Sequence, residues 1–101
     1  MANEASGNGA SAVGYVNIAG GANASALGNF NTATGNGSVA AGRGNTANGL
    51  NSNAIGGDNT SDGDNATAIG TGNLANAANS NAVGSFNQVD GDAGNAVGAN
   101  N

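Results

Sequence analysis

The chain has 101 residues, one basic side chain (Arg43) against six acids, and no Cys, His or Pro. One small domain spanning residues 1–101 is all that this length holds. The net charge of −5 argues against nucleic acid as a partner, and without Cys or His the disulfides and the usual zinc, haem and iron–sulfur ligand sets are missing, so no cofactor is expected.

The elements, taken in chain order, recur every 14 residues. After a half-unit at Ala5 and Gly7, the first full unit runs through Ala12-Val13-Gly14 to Asn17. The following units are Ala26-Leu27-Gly28 to Asn31, Ala40-Ala41-Gly42 to Asn45, Ala54-Ile55-Gly56 to Asn59, Ala68-Ile69-Gly70 to Asn73, Ala82-Val83-Gly84 to Asn87 and Ala96-Val97-Gly98 to Asn101. Between them a second glycine column stands half a period out of step at Gly21, Gly35, Gly49, Gly63 and Gly91, with Ala77 as its one departure. A composition rich in Gly, Ala and Asn reads on its own as a disordered tract, but disorder needs no such phase. Gly and Asn in every unit oppose a coiled coil, and the absence of Pro and of a three-residue Gly period opposes collagen. The remaining reading is an all-β fold, a parallel β-solenoid of seven coils with two short strands each, every strand followed by a Gly/Asn turn at positive φ. At about 4.8 Å per coil the rod is on the order of 35 Å long.

Alternation along a strand places Ala12 and its equivalents on the inner face with the Ala10, Ala24, Ser38 column. The Ala5, Ala19, Ala33 column and the amides Asn17, Asn31, Asn45, Asn59, Asn73 and Asn87 match them in the other half-coil, and amides repeated in register are expected to form a structural ladder. The aliphatic column Val13, Leu27, Ile55, Ile69, Val83 and Val97 then points outward, opposite a polar column of Ser6, Gly20, Thr34, Asn48, Asp62, Asn76 and Asp90. An exposed apolar stripe on a coil filled with alanine requires a partner surface, and identical copies around a common axis supply it, so this column is the expected oligomer interface.

The units Asn53-Ala54-Ile55-Gly56 and Asn81-Ala82-Val83-Gly84, each followed by x-x-Asn-x-Ala-x-Gly or its near equivalent, resemble the head repeats of trimeric autotransporter adhesins, the YadA-like heads. The resemblance covers nearly the whole chain. It implies a left-handed parallel β-roll, a parallel homotrimer, a place on a bacterial outer surface, and binding to host matrix or abiotic surfaces without enzymatic activity. Two columns depart from the family pattern: Ser11, Ser25, Val39, Asn53, Thr67, Asn81 and Asn95 stand where the family often has Val, and Asn stands throughout the ladder where it favours Ser or Ala.

Other motifs carry less. Gly-x-Gly-x-x-Ala matches at Gly35, Gly42 and Gly70 follow from the repeat, with no helix to receive a pyrophosphate. The run Asp58, Asp62, Asp64 has the opening rhythm of a calcium loop, but Ile69 stands at the twelfth position where a bidentate Glu is needed, so a solvated turn is the expected reading. Sequons at Asn23, Asn36, Asn59 and Asn65 are those that such a composition produces by accident. Tyr15, Phe30 and Phe86 fall just after the repeat glycine and are expected to pack between protomers. No run spans a membrane and the N-terminus lacks the basic and apolar parts of a signal peptide, so targeting and anchoring parts of an exported parent are expected outside this chain. The leading functional expectation is an adhesin head. The alternatives are a structural subunit stacking end to end into an extracellular filament and, disfavoured by the mixed polar column, an ice-binding solenoid.

Overall fold

A computed structural model describes residues 2–101. Each coil contributes one two-residue strand and one five-residue strand. The short strands are β1 (Glu4–Ala5), β3 (Ile18–Ala19), β5 (Thr32–Ala33), β7 (Thr46–Ala47), β9 (Thr60–Ser61), β11 (Leu74–Ala75) and β13 (Gln88–Val89). The long strands are β2 (Ser11–Tyr15), β4 (Ser25–Asn29), β6 (Val39–Arg43), β8 (Asn53–Gly57), β10 (Thr67–Thr71), β12 (Asn81–Ser85) and β14 (Asn95–Ala99). They form two seven-stranded parallel sheets, and every residue pairs with the residue 14 positions on, as Leu27 does with Ala41 and Ala41 with Ile55. The chain is thus the expected parallel β-solenoid, with extents of 35 × 20 × 11 Å.

The thinness follows from the interior. Ala26, Ala40, Ala54, Ala68 and Ala82 on the long strands face Ala19, Ala33, Ala47 and Ala75 on the short ones, and all are fully buried. Nothing larger than Val89 enters the apolar core, so the sheets close to near contact and each coil gains little from burial.

Two expectations about glycine are corrected. The repeat glycines lie inside the long strands, at their fourth position, rather than in turns. Gly42 shows why: its φ of 119° lies outside the regions open to other L-residues, and a Cβ there would overlap the Gly56 carbonyl oxygen of the next coil. The half-period glycines have a different cause, since Gly49 has an ordinary φ but a Cβ on it would overlap the Gly63 carbonyl. The left-handed turn positions hold other residues: Val16, Phe30, Gly44, Asp58, Gly72 and Phe86 at one edge, and Gly9, Asn23, Gly37, Asn51, Asn65 and Asn79 at the other, with φ between 55° and 71°, so the expected Gly/Asn turn at positive φ holds at those second-edge positions. Each edge is itself stacked by backbone bonds, as in Asp58 N–H to Arg43 O at 2.9 Å and Asn65 N–H to Leu50 O at 2.8 Å.

Candidate interaction faces

The amide ladder expected from the sequence runs through the interior beside the repeat glycines. Asn17, Asn31, Asn45, Asn59, Asn73 and Asn87 are buried, and each is bonded alike. The Asn59 backbone N–H and Nδ2 donate to Asn45 Oδ1 at 3.0 and 3.1 Å. Its Nδ2 also reaches the carbonyls of Ile55 at 2.9 Å and Gly70 at 2.8 Å, while its Oδ1 accepts from Asn73 N–H at 2.9 Å and Nδ2 at 3.0 Å. An amide alone among side chains of this size offers an acceptor and two donors from one end, which is what a turn with an unpaired backbone N–H and two unpaired carbonyls requires. The ladder is a scaffold element and also closes the Asn59 sequon, whose side chain is fully buried; Asn23, Asn36 and Asn65 are exposed.

With the ladder and alanines inside, the two sheets present unlike outer faces. The long-strand face carries the aliphatic column: Leu27, Ile55 and Ile69 remain 39%, 37% and 37% exposed, Val13 and Val97 near the ends more so, and Val83 and Ala41 are half-buried. The short-strand face carries the polar column as a hydrogen-bonded series, Thr34 Oγ1 to Asn48 Oδ1 at 2.6 Å, Asn48 Nδ2 to Asp62 Oδ1 at 2.9 Å and Asn76 Nδ2 to Asp90 Oδ1 at 2.9 Å. Beside it runs a column that the sequence reading overlooked, Glu4, Ile18, Thr32, Thr46, Thr60, Leu74 and Gln88. The signal was available, because each of these precedes an inward residue and must point out.

The carboxylates of the calcium-like run do not converge. Asp58 lies in the edge turn after β8, whereas Asp62 and Asp64 lie in the opposite turn after β9, and no three carboxylates among the described residues form a group that would hold a metal. Asp62 and Asp64 instead hold neighbouring coils, Asp64 Oδ1 accepting the Leu50 N–H at 3.0 Å. Of the aromatics, Tyr15 ends β2 and Phe30 and Phe86 occupy turns; the Tyr15 and Phe30 rings meet edge to face at 5.6 Å between centroids. Phe30 and Phe86 are bulky residues at positive φ, and both stay more than half exposed.

The family model described as the YadA head domain repeat, two copies long, matches windows 5–31, 19–45, 33–59, 47–73 and 61–87. Each window advances by one 14-residue coil, so the match runs unbroken over residues 5–87 and has the period of the sheets. The chain belongs to the YadA head repeat family. No curated protein matches it significantly. YadA head repeats are structural units of adhesins, and their period is accounted for by the columns above: the repeat glycine where the next carbonyl lies against Cα, the alanine inside, the aliphatic outside.

Proposed function

We propose that the chain is the head segment of a bacterial surface adhesin, a rigid non-catalytic rod of which three parallel copies pack their long-strand faces together and present their short-strand faces outward. The observation that carries this reading is the unbroken head-repeat match over residues 5–87. The two faces support it: Leu27, Ile55 and Ile69 form a stripe that water covers poorly, and a thin alanine-filled coil gains most from burying it. The polar columns suit attachment to host matrix or abiotic surfaces, because side chains tied to one another are already ordered and identical groups at each coil turn weak contacts into avidity.

Attachment of the purified chain to immobilised matrix proteins and to glass tests the adhesive part. Retention of the wild-type chain is expected, with loss of most of it in an Asn48→Ala, Asn76→Ala variant that cuts both side-chain series of the short-strand face. Equal retention of wild type and variant removes that face from the proposal, and no retention of the wild type contradicts adhesion to those surfaces.

A further inference from the structure

The third long strand, β6, departs from the others on the face assigned to the trimer contact. Where β4 and β8 carry Leu27 and Ile55, it carries Ala41, and its larger aliphatic has moved to Val39, in a column otherwise of Ser, Asn and Thr. Arg43, the only basic residue of the chain, follows on the same face. Its register partner on the next coil is Gly57, and a Cβ built there would meet no atom within 4 Å. Ala41 stands low between Leu27 and Ile55, and Gly57, diagonal to it on the next coil, stands low beside Arg43, so the two small residues form a shallow depression with Arg43 at its rim. The guanidinium is exposed and takes no hydrogen bond or ion pair among the described residues. A cation on a surface that becomes covered is destabilising unless an anion meets it.

The opposite edge of the same rod holds the complement. Leu50, in the turn between β7 and β8, is 46% exposed in a column otherwise of Asn, Ala and Asp. It lies seven residues, half a repeat, past Arg43, at a height between Ala41 and Gly57. Asp64 stands one coil higher on that edge, where one of its oxygens accepts the Leu50 N–H at 3.0 Å and the other accepts no hydrogen bond among the described residues. In a cyclic trimer the contact is heterologous, so one edge of each protomer meets the other edge of the next.

We infer that the partner's Leu50 seats in the depression formed by Ala41 and Gly57 and that the partner's Asp64 pairs with Arg43, a contact that rests on the trimer reading and goes beyond it. The rest of the stripe repeats every 14 residues, so sliding one protomer by a whole coil changes little in it. This one irregular coil penalises the slip, because it would set Leu50 against Ile55 or Leu27 and leave Arg43 without its anion. The contact therefore fixes axial register.

Sedimentation equilibrium of the full chain tests it, with far-UV circular dichroism to verify that each variant folds. The wild type is expected to be trimeric. Arg43→Glu and Leu50→Asn are each expected to raise the monomer–trimer midpoint concentration by about tenfold or more, since three equivalent contacts are lost at once. Arg43→Glu combined with Asp64→Arg is expected to recover most of the loss. If Arg43→Glu does not fold, Arg43→Gln is read in its place. A trimeric wild type whose midpoint neither Arg43 variant nor Leu50→Asn moves overturns the inference, and failure of the charge-swapped pair to recover overturns the assignment of Asp64. A wild type that is monomeric throughout overturns the trimer reading instead.

Discussion

Two buried polar residues of one coil, two positions apart, show what decides whether polarity in this core is tolerated. Asn59 satisfies every polar atom it carries and satisfies those of its neighbours, whereas the buried Ser61 Oγ has no partner among the described residues. Ser61 stands in a column of Ala5, Ala19, Ala33, Ala47, Ala75 and Val89, so the methyl of alanine fits where the hydroxyl adds only desolvation. Ser61→Ala is accordingly expected to stabilise the fold by about 1 kcal/mol, while the near-isosteric Asn59→Leu, which orphans the Asn73 N–H and the carbonyls of Ile55 and Gly70, costs about 3 kcal/mol or more. Thermal unfolding of the two variants checks both signs, and a destabilised Ser61→Ala would contradict this account of the core. The ladder itself was legible in the sequence because asparagine at a fixed phase has few other uses. That Ser61 and Ser52 are unsatisfied, while Ser38 donates to Gly35 O and Ser80 to Ala77 O, was not legible: Ser52 shares its column with Ser38 and Ser80, so position in the repeat does not decide it.

At the scale of the strand and turn, period predicted the coils and missed their internal division. Two short strands per coil were expected from the near-sevenfold half-repeat, without a difference between them, and one half forms five-residue strands and the other only two-residue ones. The repeat glycine is the reason. Its mirror-extended φ lets the long strand continue through it, whereas the half-period glycine, admitted by close approach alone, ends the short strand. Column counting treats both as turn glycines because it sees their spacing and not their φ. Where approach is the cause, the need for glycine must vanish wherever no coil follows closely. Gly49, whose Cβ would overlap a carbonyl, and Gly91, which has open space around it, make the comparison. Gly49→Ala is expected to cost several kcal/mol, about 3 or more, and Gly91→Ala to be neutral or stabilising by about 0.5 kcal/mol. Chemical denaturation of both variants reads the difference, and equal losses would mean that conformation rather than contact selects these glycines. Ala77 already shows the site yielding: there the N–H bond to the carbonyl twelve residues on, made by Gly21, Gly35, Gly49 and Gly63 at 3.3 to 3.4 Å, is absent.

For the whole molecule, the sequence carried the solenoid, its 35 Å length and the sidedness of its faces, because all three follow from alternation and period. The edges were less legible. Phe30 and Phe86 at left-handed turn positions, and the displacement of the aliphatic side chain in β6 beside Arg43, break the repeat locally and acquire meaning only once the register sets Ala41 beside Ile55, Arg43 beside Gly57 and Leu50 on the opposite edge. The chain stacks its backbone along the rod and buries only alanine, one valine and small polar side chains across it, so lateral packing of the long-strand faces is the proposed source of the burial that the interior does not supply. That lateral packing is the central claim, and sedimentation equilibrium of the unmodified chain over a wide concentration range tests it most directly. A single species of three times the chain mass of 9.3 kDa, with β-type circular dichroism, is the predicted result; a folded monomer at every concentration, or a mass that grows without limit as fibres form, would contradict it.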